Sequence, residues 1–164
     1  MKKVIRYNVF ESNSSSMHSV SVRGERNLNE YYHPDGVIVI KLGEYGWEGD
    51  NLCDFYDKLE YAMSMVLHTE YPGFNHFNKF TVDQDELESL EGYKLLLDAI
   101  RKHGDCERIV IKKRNSYDYP YGYIDHQSYE DYSSLGDFLK DWNIDAERYL
   151  FDDDVVVHID NDNH

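Results

Sequence analysis

A run of serines near the N-terminus lies two residues from a histidine, and this spacing could support nucleophilic chemistry. Residues 14–16 are all serine, and His18 follows shortly after them. A serine nucleophile needs a base within hydrogen-bond reach and a third group that orients the base. Asp125 or Glu48 could supply that third group. The candidate catalytic residues are Ser15, Ser16, His18, Asp125 and His126.

The same stretch can instead form a polar turn that lines a pocket. No nucleophile-elbow pattern surrounds the serines, and short runs of hydroxyl and amide side chains commonly satisfy backbone groups. Such a pocket would bind a small ligand or a partner through hydrogen bonds, with histidines setting its charge near neutral pH. The glycine-punctuated loop at residues 43–50 gives a second candidate wall. The candidate ligand-binding residues are Asn13, Ser14, Ser16, His18, Trp47, Glu48, Asp125, His126 and Ser128.

Histidines and carboxylates toward the C-terminus suggest a metal site. His126, His158 and Asp160 offer nitrogen and oxygen ligands on two predicted strands, which could bind zinc or manganese if those strands are neighbours. The spacing matches no established metal motif. The loop at residues 43–50 also differs from a phosphate-binding loop in its glycine spacing and lysine, so the sequence leaves the cofactor unknown.

Hydrophobic patterning around the serine run predicts two strands joined by a turn. A first strand is predicted for residues 3–11 and the turn for residues 12–16. From Met17 onward apolar and polar residues alternate with the period of a half-buried strand. This alternation predicts that His18 shares the core-facing side with Val20 and Val22.

The middle of the chain predicts one strong strand and two main helices. Residues 37–40 are a continuous β-branched run, which predicts a central strand buried on both faces. Apolar residues at helical spacing predict helix A from about residue 50 to His68, with Asp50 or Asn51 as its cap. A second such stripe predicts helix B from near Asp83 until Gly104.

The C-terminal third predicts further strands and short helices. Residues 108–113 and 121–128 read as strands joined in a hairpin, and residues 155–160 as a last strand. Ser133 or Ser134 can cap one short helix and Asp145 a second helical turn. The chain is therefore predicted to be a single α+β domain over residues 1–164. We expect one mixed or mostly antiparallel sheet of five or six strands, two main helices and one or two short ones.

The composition limits the kinds of partner that the chain is expected to bind and indicates its cellular compartment. The formal net charge is −15, which disfavours direct binding to nucleic acid or to an anionic membrane surface. Cys53 and Cys106 have no metal-type spacing and are expected to be reduced thiols, consistent with the cytoplasm. No apolar run reaches the length of a membrane span. The sequence does not indicate an oligomeric state.

Two segments resemble a known group of proteins. Residues 6–20 resemble the opening of small uncharacterised proteins from bacteriophages and their bacterial hosts, which begin Arg-x-Asn-x-Phe-Glu-Thr-Asn-Ser-Ser-Ser-Thr-His-Ser. Ser12 and Met17 stand where that motif has threonine. Residues 122–128 are similar to a second motif of the group. The resemblance implies a phage-type origin and the cytoplasm of an infected host cell, and it implies nothing about a substrate.

Three functions follow as hypotheses. The first is a phage-type accessory protein of unknown activity that binds a small ligand or a host partner in a polar pocket at the turn of residues 13–18. The second is a hydrolase or transferase that uses the serines and His18. The third is an acidic inhibitor that occupies the basic nucleic-acid-binding groove of a host or defence protein.

Overall fold

The computed structural model describes residues 16–24, 35–46, 49–74, 80–116 and 118–161, with the backbone alone for residues 16, 17, 126, 127, 160 and 161. The fold is α+β, and the predicted single sheet of five or six strands is wrong. The described strands form one three-stranded sheet and two two-stranded sheets. The predicted strand at residues 3–11 lies outside the described residues, as does all but Ser16 of the predicted turn.

The three-stranded sheet is antiparallel and joins the two ends of the described chain. Strand β7 (Val155–Asn161) lies between β1 (Ser16–Val22) and β4 (Asp50–Leu52). The inner face of this sheet is mainly apolar, with Val20, Leu52, Val155, Val157 and Ile159 all buried. The predicted strand from Met17 is confirmed, and His18 and Val22 share its inner face with Val20. The predicted last strand is also confirmed, as β7.

Parallel pairs form the other two sheets. Strand β2 (Gly36–Ile40) pairs with β5 (Cys106–Ile111), and β3 (Glu44–Tyr45) pairs with β6 (Tyr123–Ile124). The predicted hairpin between residues 108–113 and 121–128 is therefore wrong, because β6 pairs with β3. Gly122 permits this pairing, since its φ is +73° and a Cβ there would lie 2.4 Å from the Gly43 carbonyl oxygen.

Strand β2 is not the doubly buried central strand that its composition predicts. Ile38 and Ile40 are buried, whereas Val37 and Val39 are 46% and 56% exposed. Within the described part of the chain β2 has only β5 as a neighbour. The continuous β-branched run therefore forms a strand with only one buried face. Periodicity alone does not distinguish such a strand from one that is buried on both faces.

Helix α1 (Phe55–Glu70) forms the centre of the core. Asp54 caps it by accepting a hydrogen bond from the Asp57 backbone N–H, so helix A begins later than predicted. All residues from Tyr61 to Leu67 are buried, which shows that the helix is covered on every side over these turns. Lys58 is also buried, and its Nζ donates to the carbonyl oxygens of Asp152 and Val155. That contact ties α1 to the start of β7.

Helix B is divided into α2 (Gln84–Ser89) and α3 (Glu91–Arg101), because Leu90 has extended backbone angles. Glu70 explains how the second helix begins without its own side-chain cap. Its carboxylate accepts hydrogen bonds from the backbone N–H of Gly92 and of Leu135. A Cβ at position 92 would lie 2.4 Å from Glu70 Oε1, so glycine is needed for this approach. One carboxylate thus caps the N-termini of two helices.

The remaining helices are short. Segment α4 (His126–Tyr129) replaces the end of the predicted strand at residues 121–128. Ser134, one of the two serines predicted as a cap, caps α5 (Leu135–Asp141), and Asp145 caps α6 (Ala146–Phe151) as predicted. The predicted thiols are free, with Cys53 exposed and Cys106 buried. No helix within the described ranges is long and apolar enough to cross a membrane.

Tyrosine hydroxyls satisfy backbone groups in this core. Those of Tyr71, Tyr93 and Tyr121 accept hydrogen bonds from the backbone N–H of Asp83, Ile109 and Val82 respectively. The hydroxyl of Tyr149 donates to the Lys58 carbonyl oxygen. Because an unpaired buried backbone group is costly, these bonds explain how an aromatic core accommodates so much irregular chain.

Candidate functional site

Strand β1 and helix α1 together position the imidazole of His18. The alternation of β1 turns His18 to the inner face, where it meets Tyr61 of α1. Nδ1 of His18 and the Tyr61 hydroxyl share a hydrogen bond of 2.8 Å. Tyr61 is fully buried and packs edge-on against Tyr45, with ring centroids 5.2 Å apart. The aromatic core therefore fixes the hydroxyl that orients the histidine.

The second nitrogen of His18 is buried and has no hydrogen-bond partner among the described residues. A buried polar atom without a partner costs about 1–3 kcal/mol, and such atoms are rare in folded proteins. Whichever tautomer is present, one side of this ring still needs a donor or an acceptor. Among the described residues, the imidazole thus has one hydrogen-bonding position that is not used.

Burial also sets the charge of this histidine. Loss of solvation lowers the pKa of His18 from 6.5 to about 4, and the negative charge of Asp125 acts in the opposite direction. His18 is consequently neutral at physiological pH. This outcome differs from a histidine that titrates near neutral pH, which is the role the sequence suggested.

Asp125 lies between β6 and α4, and it brings a carboxylate to the same region. Segment α4 packs against both β1 and α1. The Asp125 carbonyl oxygen accepts a hydrogen bond from the Ser128 backbone N–H, which starts the helical turn. Burial raises the pKa of Tyr123 to about 12, helped by the charge of Asp125 and a hydrogen bond to its side chain. Tyr123 therefore keeps its proton and donates to the carboxylate.

The predicted site residues are distributed as follows. His18, Asp125 and Ser128 lie where β1 meets α4. Ser16 is the first residue of β1 and His126 the first of α4, and only their backbones are described. Asn13, Ser14, Ser15, Trp47 and Glu48 lie outside the described residues.

The metal candidates are not assembled into a site in the described part of the chain. His158 lies on the outer face of β7, and both of its ring nitrogens already have partners, Ser21 and Asn51. The backbone of Asp160 pairs with that of Met17 at the end of the same sheet. The described residues contain no group of three or more histidine, cysteine, aspartate or glutamate side chains arranged to hold a metal ion.

Sequence reasoning did not select Tyr61, Tyr123, Ser21 or Asn51. Tyr61 lies in the predicted helix A but outside its predicted apolar stripe, so helical periodicity gave no reason to place its hydroxyl in the core. Ser21 and His158 both occupy polar positions of predicted strands, so their shared face could have been inferred only with the pairing of β1 and β7. Asn51 was predicted as a possible cap of helix A, whereas it lies in β4, a strand that was not predicted.

The chain matches no protein-family model, no curated protein and no solved structure.

Proposed function

We propose that the chain is a binding protein for a small neutral molecule, and that its site lies at the junction of β1 and α4 around His18. The observation that carries the proposal is the buried Nε2 of His18, which lacks a partner among the described residues while Nδ1 is held by Tyr61. A ligand with one polar group directed at Nε2 would complete the hydrogen bonding of the ring.

The charges around the site favour a neutral ligand. His18 is neutral at physiological pH, so it provides no positive charge for an anion. Asp125 is close enough for its charge to act on His18, and the chain as a whole is strongly acidic. A carboxylate or phosphate group would meet a negative potential here. A primary amide, which both donates and accepts, suits either tautomer of His18.

The biological setting is proposed on the resemblance alone. Residues 6–20, which include the start of β1, carry the similarity to bacteriophage proteins. A phage-type accessory protein that binds a small molecule in an infected cell is consistent with that similarity. The placement of His18 within the similar segment links the proposed origin to the proposed site.

Fragment binding followed by NMR tests this proposal. A series of small primary amides, from acetamide to nicotinamide, is titrated into the ¹⁵N-labelled full chain, with acetate as the charged comparison. We expect the amides to shift backbone resonances of residues 17–20 and 125–129, and acetate to shift them less at equal concentration. His18→Phe keeps a planar aromatic ring, although a larger one, and removes both nitrogens, so it should abolish these shifts.

The matched control is His158→Gln, which changes a histidine on the opposite face of the same sheet. It should leave the amide-induced shifts in place. Shifts that persist in His18→Phe, or that never occur near β1 and α4, would overturn the proposal. A folded state of His18→Phe is verified in the same spectra before the titration.

A further inference from the structure

A row of three hydrogen-bonding side chains crosses the outer face of the three-stranded sheet. Ser21 Oγ lies 2.7 Å from Nε2 of His158, and Nδ1 of the same ring lies 2.5 Å from Asn51 Oδ1. The three residues come from β1, β7 and β4. They are separated by 30 to 137 positions in the sequence, so the sheet pairing alone brings them together.

The chemistry of the acceptors determines which atom carries the hydrogen in each of these two hydrogen bonds. The amide oxygen of Asn51 can only accept, so Nδ1 of His158 carries the hydrogen of that bond. In the neutral imidazole Nε2 is then the acceptor, and the Ser21 hydroxyl donates to it. A serine hydroxyl hydrogen-bonded to an imidazole whose other nitrogen is oriented by a third side chain is the arrangement of an activated nucleophile.

The positions are held by regular backbone. Asn51 pairs directly with His158, and Ser21 lies two residues beyond Ser19, which is the direct partner of His158 on β1. Side chains at direct and diagonal cross-strand positions lie on one face within contact distance. The face beneath them is the buried apolar side formed by Val20, Leu52 and Val157. Ser21 and His158 are themselves partly exposed, so a reactant can reach them.

We propose that Ser21 is the nucleophile of an acyl-transfer site, with His158 as general base and Asn51 as the residue that orients His158. The substrate class is a carboxylic ester that is uncharged or cationic, because the chain carries a formal charge of −15. This site lies on the opposite face of β1 from His18, so it is independent of the binding function proposed above.

The reaction requires only the ester and water. Ser21 Oγ forms a bond to the ester carbonyl carbon while its proton passes to His158 Nε2. The bond from that carbon to the leaving alkoxide then breaks, and the alkoxide takes the proton from His158. Water next attacks the acyl-Ser21 ester with its proton passing to Nε2. The bond from the acyl carbon to Ser21 Oγ then breaks, Oγ takes the proton back from His158 Nε2, and the carboxylic acid is released.

The identity of residue 51 as asparagine predicts how fast Ser21 reacts. An asparagine holds the tautomer but carries no charge to stabilise the imidazolium that forms during attack, whereas an aspartate supplies that charge. The native site should therefore react slowly. Asn51→Asp should increase the rate of reaction at Ser21, and we expect an increase of about tenfold or more.

The test is covalent labelling of the full chain with a fluorophosphonate probe. The probe phosphonylates a nucleophilic serine: Oγ forms a bond to phosphorus, fluoride leaves, and the serine proton passes to the base. We expect one adduct, located on Ser21 by peptide mass spectrometry, with faster labelling of Asn51→Asp. Hydrolysis of p-nitrophenyl acetate should follow the same order of variants.

The controls separate chemistry from folding. Ser21→Ala should remove the adduct, and His158→Gln should reduce labelling at Ser21 by at least about a hundredfold. Ser19→Ala removes a hydroxyl from the same face of β1 and should label like the native chain. Circular dichroism and thermal unfolding verify that each variant is folded. Absence of an adduct on Ser21, equal labelling of His158→Gln, or slower labelling of a folded Asn51→Asp would each overturn the proposal.

Discussion

The two faces of one three-stranded sheet place two histidines in opposite environments. His18 pairs with Ile159, and Ser19, the next residue, pairs with His158, so the two imidazoles lie on opposite sides. On the inner face His18 has one nitrogen bonded to Tyr61 and the other unpartnered within the described residues. On the outer face both nitrogens of His158 are bonded.

This difference shows that strand position decides what a histidine can do. A shift of one residue along a strand moves a side chain from core to surface. The inner position removes solvation and lowers the pKa of His18 to about 4. The ring is therefore neutral, and its Nε2 has no partner within the described part of the chain. The outer position adds polar cross-strand neighbours, which fix the ring between a hydroxyl and an amide.

The largest expected effect is on the free energy of unfolding, when a charge is placed on each face of β7. Val157 is fully buried on the inner face and Val156 lies on the outer face. Val157→Asp buries an unpaired carboxylate, so we expect a loss of more than about 4 kcal/mol. Val156→Asp should cost about 1 kcal/mol. Urea denaturation measures both, and equal losses would contradict the assignment of the two faces.

The pH dependence of stability should come next in size. The pKa of His18 is about 4 in the folded chain against 6.5 unfolded, so the unfolded chain binds more protons between these values. The stability due to neutral His18 is complete above pH 6.5 and is lost as pH falls toward 4. Between pH 7.5 and 4.5 we expect a loss of roughly 2–3 kcal/mol from this group.

Comparison with a variant isolates that contribution from the carboxylates. His18→Phe should show less loss of unfolding free energy than the native chain over the same pH range. His158→Gln serves as the matched variant on the outer face. Identical pH dependence in the native chain and His18→Phe would show that His18 is not buried in its neutral form.

A smaller effect is expected from removal of the Tyr61 hydroxyl. Tyr61→Phe leaves Nδ1 of His18 without its partner in a buried site, at a cost of about 1–2 kcal/mol. Thermal unfolding at pH 7.5 measures the change. The ring of Tyr61 packs against Tyr45 and Phe138. Phenylalanine has the same ring without the hydroxyl, so the substitution keeps that packing. No change in stability would indicate that the hydroxyl does not hold the histidine.

The smallest effect is expected for Ser21→Ala. Ser21 is partly exposed, so water can replace the lost hydroxyl as the partner of His158, and we expect a change within about 0.5 kcal/mol. The same denaturation experiment used for Tyr61→Phe measures this value. A loss above about 1.5 kcal/mol would mean that the row on the outer face has a structural role as well.

Strand alternation and helix capping depend on residues that are close in the sequence, and these features could be predicted. The alternation from Met17 predicted β1 and the inward direction of His18, and Ser134 and Asp145 were identified as helix caps. These features depend on residues near one another in the chain. The α+β class followed from the same patterns.

Pairing and long-range capping could not be predicted in the same way. The parallel pairing of β3 with β6 joins two-residue strands that are too short to give a periodic signal. Helix B is divided at Leu90, and the N-terminus of α3 is capped by Glu70, which lies 22 residues before Gly92. Asn51 lies beside His158 only because β4 pairs with β7, and this pairing could not be predicted from the sequence.

Burial lowers the pKa of His18 to about 4, and NMR of its ring nitrogens measures whether the folded chain holds it as a neutral imidazole. Long-range ¹H–¹⁵N spectra of the ring nitrogens at pH 5.5 report the charge of His18 in the folded chain. With a pKa of about 4, roughly 3% of His18 carries a charge at that pH, so the spectrum should show a neutral ring. A ring that is about 90% charged, as an unperturbed histidine would be, would contradict the account.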